Sequence, residues 1–218
     1  MTPKITSRWR VAQYLERRWW RRYLRAQDPQ AYLRNKRDYW VNTLRMLEWE
    51  VVPGRRSLDA GCGPAGIFIA LHEQERMTAM DPLLDAYEKD LAIFSRQDYP
   101  GVRFLTGHLE TPPESLEPFP AIYCLNAINH VSDWDRSLEH LTALAAPGAR
   151  LLLSSDVHRH RWLLPIFRAL PGDLLHPQQH PASAYRRALE KRGWTIEREV
   201  VLRETAIFNY VAWVATKH

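Results

Sequence analysis

Apolar residues recur every four positions near the start of the chain. Val11, Leu15, Trp19 and Tyr23 line one face of a predicted helix over 8–25, and Arg17, Arg18, Arg21, Arg22 and Arg25 cover the rest of it. Asp28-Pro29 interrupts that pattern and predicts an N-cap followed by a first-turn proline. A second helix over about 29–48 then sets Tyr32, Lys36, Tyr39, Trp40 and Leu44 near one side. Pro53-Gly54 then punctuates the entry to the sheet.

From there short apolar runs alternate with helical patterns. Arg56–Ala60, Met77–Met80, Val102–Thr106, Ala121–Asn126 and Arg150–Ser154 read as strands. Helices are predicted over 65–74, 83–97 and 133–146, the last stopping at Pro147-Gly148. Such alternation predicts an α/β fold, a mostly parallel sheet with helices on both faces. Two further runs, Trp194–Arg203 and Ala206–Thr216, lie too close together for a crossover and suit an antiparallel pair. Between them and the fifth strand lie a short apolar helix near Trp162–Leu170 and a helix over 182–192.

Charge divides the chain where the periodicity does. Residues 1–45 hold 12 Lys or Arg against Glu16, Asp28 and Asp38, so the net charge of +5 originates in that segment and the remainder is acidic. We read 1–50 as a basic helical extension or lid. Residues 51–218 form the main domain, in which 156–181 is an insertion capping the substrate. Its length suits one core. No apolar run is long enough to span a bilayer, and the N-terminus lacks a secretory pattern. Cys62 and Cys124 form no disulfide or zinc pattern, which makes a reducing cytoplasm the expected setting.

The chemistry concentrates at Leu58-Asp59-Ala60-Gly61-Cys62-Gly63-Pro64-Ala65-Gly66. Gly61, Gly63 and Gly66 satisfy a dinucleotide fingerprint, yet Asp59 would put a carboxylate beside the pocket, which favours a ligand with an ammonium group. The stretch resembles motif I of the class I S-adenosylmethionine-dependent methyltransferases, with Ala65 where that family's third glycine is usual. Cys124-Leu125-Asn126-Ala127-Ile128-Asn129-His130-Val131 resembles its motif IV, and Pro147-Gly148-Ala149-Arg150-Leu151-Leu152-Leu153 its turn and fifth strand. The resemblance, over about 55–216, implies a Rossmann-like seven-stranded sheet with an antiparallel last strand. It also implies S-adenosylmethionine as cofactor, held by Asp59, Gly61, Cys62, Gly63, Asp81, Pro82, His108, Leu109 and Asn126. Asp81 would receive the ribose hydroxyls and His108 or Glu110 would face the adenine. Tyr32 and Tyr39 would cover the cofactor from the second helix.

Methyl transfer from a sulfonium is an in-line displacement, so a protein must supply proximity, orientation and exclusion of water. For a base, His130, His158 and His176 are the catalytic candidates, with His160 and His180 nearby; no metal is expected. The leading function is transfer to the O, N or C atom of a small, apolar or lipid-like acceptor. An RNA methyltransferase and a non-catalytic cofactor-binding subunit are the alternatives. Asn126-Ala127-Ile128-Asn129 lacks the Pro-Pro-aromatic clamp for a base amino group, which counts against nucleic acid. The Arg- and Trp-rich residues 8–25 are also read as a peripheral contact with an anionic membrane or a partner subunit.

Overall fold

A computed structural model describes residues 7–159, 180–205 and 207–218, with side chains from Tyr14 onward. Its elements are α1 (Ser7–Leu24), α2 (Pro29–Met46), β1 (Arg56–Ala60), α3 (Phe68–Leu71), β2 (Arg76–Asp81) and α4 (Leu84–Asp90). They continue through β3 (Arg103–Thr106), β4 (Phe119–Leu125), α5 (Trp134–Ala143), β5 (Ala145–His158), α6 (Ala182–Glu190), β6 (Trp194–Glu204) and β7 (Phe208–Lys217). The apolar helix expected near Trp162–Leu170, and with it His160 and His176, falls outside the described residues.

One seven-stranded sheet runs in the order β3-β2-β1-β4-β5-β7-β6. The first five strands are parallel, and β7 pairs antiparallel with both β5 and β6. This is the Rossmann-like sheet that the family resemblance implied. Chain order reverses between β1 and β4, and the carboxyl ends of both strands leave a crevice there. Antiparallel pairing brings the start of β7 to the same edge, with Asp156 opposite Tyr210 and Tyr210 opposite Arg203.

Each sheet face carries its own core. Trp40, Leu44, Phe68, Leu84 and Tyr123 belong to one; Leu58, Ile122, Leu138, Tyr185 and Trp213 to the other. Successive residues of β4 serve opposite faces and all but Pro120 are buried, as a central parallel strand requires. At the opposite edge of the sheet from the crevice, the fully buried Glu75 accepts bonds from Ser57, Tyr123 and Arg55. With the Val52 N–H these make four donors on one carboxylate, which offset the cost of burying it.

Several boundaries differ from those expected. The helix after the glycine turn is only Phe68–Leu71, because Gly63–Ala65 forms a separate 3₁₀ turn and Gly66 is extended. The helix expected over 83–97 stops at Asp90, where Leu91 turns extended and Ser95 caps a second 3₁₀ turn. Pro147-Gly148 does not separate α5 from a short strand. β5 starts at Ala145, and the pair bulges within it, Gly148 adopting φ +70°. The cap of α2 is as expected, Asp28 accepting the Ala31 N–H at 2.6 Å with Pro29 in the first turn.

The apolar stripe on α1 is rotated from the four-residue reading. Trp20 and Leu24 pack against the core, while Trp19 and Tyr23 are stacked at 4.8 Å between ring centroids and remain about half exposed. Arg17 pairs with Asp90, and Glu16 accepts the Tyr87 hydroxyl, so α1 is fastened to α4.

Candidate active site

The turn after β1 is held from below by two acids. Gly61 and Cys62 donate their N–H groups to the Met80 carbonyl, which ties the turn to β2. Asp81 closes β2, and its Oδ2 accepts the Gly63 N–H at 2.9 Å while Oδ1 accepts the Leu83 N–H at 2.8 Å. Asp59 Oδ2 accepts the Phe68 N–H at 3.1 Å, at the first residue of α3.

Glycine is required at two points of this turn for different reasons. Gly61 has φ +74°, and a Cβ there would lie 2.3 Å from that of Ala127. Gly66 has ordinary backbone angles, but its Cβ would meet the Cys62 carbonyl at 2.4 Å and Asp59 Oδ2 at 2.5 Å. The glycine missing at 65 is therefore replaced in effect by the one at 66. Gly63 (φ +58°) has nothing within 4 Å of its Cβ position.

Above the turn lies a cavity of about 800 Å³. It runs along the carboxyl edge of the sheet from Asp81 through Asn126 to Arg203 and Tyr210, and α1 and α2 wall it from outside. Its volume falls within the roughly 300–1,000 Å³ of small-ligand sites. Asn126, just past β4, adopts φ +53° and donates its N–H to the carbonyl and hydroxyl of Ser154.

Most residues expected at the cofactor share this cavity: Gly61, Cys62, Gly63, Asp81, Pro82, His108, Leu109, Asn126, Tyr32 and Tyr39 all line it. Asp59 does not. The structure corrects the expectation that its carboxylate faces the pocket, since it is 1% exposed and directed to the α3 backbone. Glu110 also lines the wall, and its Oε1 accepts both the N–H and the hydroxyl of Ser132. Among the histidines, His130 lines the cavity. His158 lies outside it, buried at the end of β5 with its ring 4.6 Å from that of Phe208. That packing corrects its placement at the ligand crevice. His176 is outside the described residues.

Burial governs the electrostatics. It pushes the Asp59 carboxyl up to about 7, with the Asp81 charge adding to the rise, and it pushes Asp81 up to about 6. The Cys62 thiol is likewise driven up by burial, which leaves it protonated and inert. At the other end of the cavity burial, and after it the nearby Arg203 charge, lower Lys36 to about 8.

Lys36 lies with Tyr32, Tyr39 and Trp40 on the face of α2 that lines the cavity, as the spacing predicts, and its companions there come from distant elements. Arg203 and Tyr210 come from β6 and β7, about 170 residues away. Trp19, Trp20 and Tyr23 come from a helix whose facing was misjudged by one position. No local pattern marks the strand residues. They are adjacent only through the antiparallel register.

These residues fit a methyl donor of the S-adenosyl type. Each oxygen of a carboxylate offers two lone pairs, so Asp81 retains acceptor capacity beyond its two backbone bonds. Gly61 and Gly63 leave the wall beside it without side chains. A glycine turn after β1, an acid closing β2 and an antiparallel seventh strand together define the class I S-adenosylmethionine-dependent methyltransferases. The chain belongs to the methyltransferase domain family, whose model matches residues 14–199. It is similar in structure to the YcgJ protein of Bacillus subtilis (15% identity, 81% of this chain and 97% of that one, TM-score 0.64). Magnesium protoporphyrin IX methyltransferase of Synechocystis, solved with bound SAH, matches at 21% identity over 86% and 84% of the two chains, with TM-score 0.58. The N-methyltransferase NodS of Bradyrhizobium japonicum matches at 14% identity over 83% and 95%, with TM-score 0.62. The protein is thus an S-adenosylmethionine-dependent methyltransferase.

Proposed function

We propose that this enzyme methylates a small-molecule acceptor enclosed beneath α1 and α2. The enclosure is what carries the reading. Trp40 on α2 donates its indole N–H to the Ala65 carbonyl at 3.0 Å, so the helix roof is bonded directly to the glycine turn. Trp19, Trp20, Tyr23, Tyr32 and Tyr39 line the space below it, giving an aromatic wall suited to an apolar molecule.

The donor supplies an electrophilic methyl group on a sulfonium. Asp81 and the backbone at Gly61 and Gly63 position the donor at the carboxyl ends of β1 and β2. The aromatic side chains of the roof, buried at Trp40 and about half exposed at Trp19 and Tyr23, shield that region in part from bulk water, which limits hydrolysis of a reactive methyl and strengthens polar contacts inside. Where the acceptor carries a proton, the position of His130 on the wall supports a role in taking it. Helices α1 and α2 act in this reading as a lid, and residues 1–50 as its extension.

Incubating the enzyme with methyl-labelled S-adenosylmethionine and separated cell extract tests the proposal. Label is expected in the small-molecule fraction, and transfer confined to RNA or protein would overturn it.

A further inference from the structure

Acidic and basic groups share the cavity wall, and Asp156 stands at the same end as Arg203. Each acid has a partner: Asp81 takes two backbone N–H groups, Glu110 takes Ser132, Glu16 takes the Tyr87 hydroxyl, and Asp156 faces Arg203. Lys36 contrasts with them. Its ammonium lies 4.4 Å from the ring centroid of Trp40 and 4.6 Å from that of Tyr39, and among the described residues no oxygen accepts from it and no carboxylate pairs with it. An ammonium carries three donors. Aromatic faces satisfy part of its charge and none of its directional bonds. Arg203 adds a second cation at the rim, its side chain 67% exposed and its contact to Asp156 Oδ1 stretched to 3.9 Å.

The position of this cluster is fixed by hydrogen bonds. The Asn126 N–H donates to Ser154 Oγ at 3.1 Å, Ser154 Oγ lies 2.6 Å from the Tyr210 hydroxyl, and Tyr210 shares its stretch of wall with Tyr39. The cations therefore stand beyond β4, toward β5, β7 and β6. The donor's ribose belongs at the other end, over Asp81 on β2. The strand order puts Arg203 of β6 at the far end of the crevice from Asp81, and Lys36 reaches the same cavity from α2 beside Tyr39 and Trp40, where an acceptor bound next to the donor would meet both.

We propose that Lys36, flanked by Tyr39 and assisted at the rim by Arg203, binds a carboxylate of the methyl acceptor, so that the substrate is an apolar or aromatic carboxylic acid. This inference rests on the reading of the cavity as a small-molecule methyl-transfer site. The carboxylate supplies the acceptors that the ammonium lacks, and the apolar remainder fills the aromatic wall.

Calorimetry on the full chain saturated with S-adenosylhomocysteine tests it, with 2-naphthoate and the uncharged 2-naphthamide as probes. Naphthoate is expected to bind at least about tenfold tighter than the amide. Lys36→Gln should abolish that preference and Lys36→Arg should restore most of it, both with wild-type melting temperatures. Equal binding of the two probes, no binding of naphthoate, or a preference that survives Lys36→Gln would overturn the proposal. The donor's own carboxylate is distinguished by 5′-methylthioadenosine, which lacks the amino-acid end. If Lys36→Gln weakens S-adenosylhomocysteine and not methylthioadenosine, Lys36 serves the donor and the acceptor assignment falls. Failure of the wild type to bind S-adenosylhomocysteine would instead defeat the underlying site reading.

Discussion

The indole N–H of Trp40 donates to the carbonyl of Ala65 at 3.0 Å, joining helix α2 to the turn that follows β1. Trp40 is 5% exposed and belongs to the core cluster on that sheet face, so the bond is shielded from water. Trp40→Phe keeps the ring and leaves a buried carbonyl without its donor. We expect a loss of about 1–3 kcal/mol in stability by chemical denaturation, and S-adenosylhomocysteine binding weakened by about fivefold. Unchanged values in both measurements would show that the roof and the turn are independent.

Gly66 supplies a test of sterics without backbone strain. Its φ of −69° suits any residue, so Gly66→Ala fails only through its contacts with the Cys62 carbonyl and Asp59 Oδ2. Neither neighbour is a flexible side-chain end: one is backbone and the other is bonded to Phe68. A cost of about 1–3 kcal/mol is expected, with donor binding reduced in proportion to the displaced turn. Gly63→Ala at an open position has only the φ penalty to meet and should cost less, about 1–2 kcal/mol. Equal losses in thermal melts would contradict this ranking.

Asp59 and Asp81 make the stability of the ligand-free enzyme depend on pH. Their folded-state values, about 7 and about 6, both lie above the ordinary carboxylate value near 4. Between those limits the folded protein holds protons that the unfolded chain has released. Stability is therefore fully present below about pH 4 as far as these two groups are concerned, and their contribution is lost as pH rises toward about 7. Asp81→Asn should reduce the slope between about pH 4 and 6, and Asp59→Asn should reduce it over the whole range to about pH 7. Urea midpoints measured from pH 4 to 8 provide the check. A midpoint that rises across the window in wild type and not in the variants would have the wrong sign.

The strand-and-helix alternation in the sequence was enough to predict the sheet, because the parallel strands are short apolar runs bounded by Gly and Pro. Asp81 and the glycine turn were legible for the same reason: they sit at the end of a strand, where local pattern and ligand geometry coincide. Asp59 reads as a pocket residue in the sequence, since nothing in one dimension distinguishes a carboxylate aimed at a ligand from one aimed at the next helix. The length of β5 was hidden by Pro147-Gly148, which resembles a helix stop yet forms a bulge within the ladder. Arg203 and Tyr210 carried no signal because they meet Lys36 and Tyr39 only when the β6–β7 hairpin folds back against β5.

Lys36 gives the acceptor site a pH limit opposite in origin to that of the acids. Burial, and then the Arg203 charge, lower it to about 8 in the ligand-free enzyme. The groups facing it are the Tyr39 phenol on its own helix, Arg203 on β6, Asp156 on β5 and Tyr210 on β7. Below about pH 8 the ammonium is charged and holds an anion; above it the neutral amine retains no such attraction. Naphthoate affinity should therefore be level from pH 6 to 7 and fall from about pH 8 upward, by about tenfold for each further unit once Lys36 has lost its proton. Naphthamide affinity should stay level over the same range. A bound carboxylate also raises the Lys36 value, so binding at pH 8.5 takes up protons. Calorimetry in two buffers of different ionisation enthalpy would detect that uptake in wild type, and Lys36→Gln should remove it.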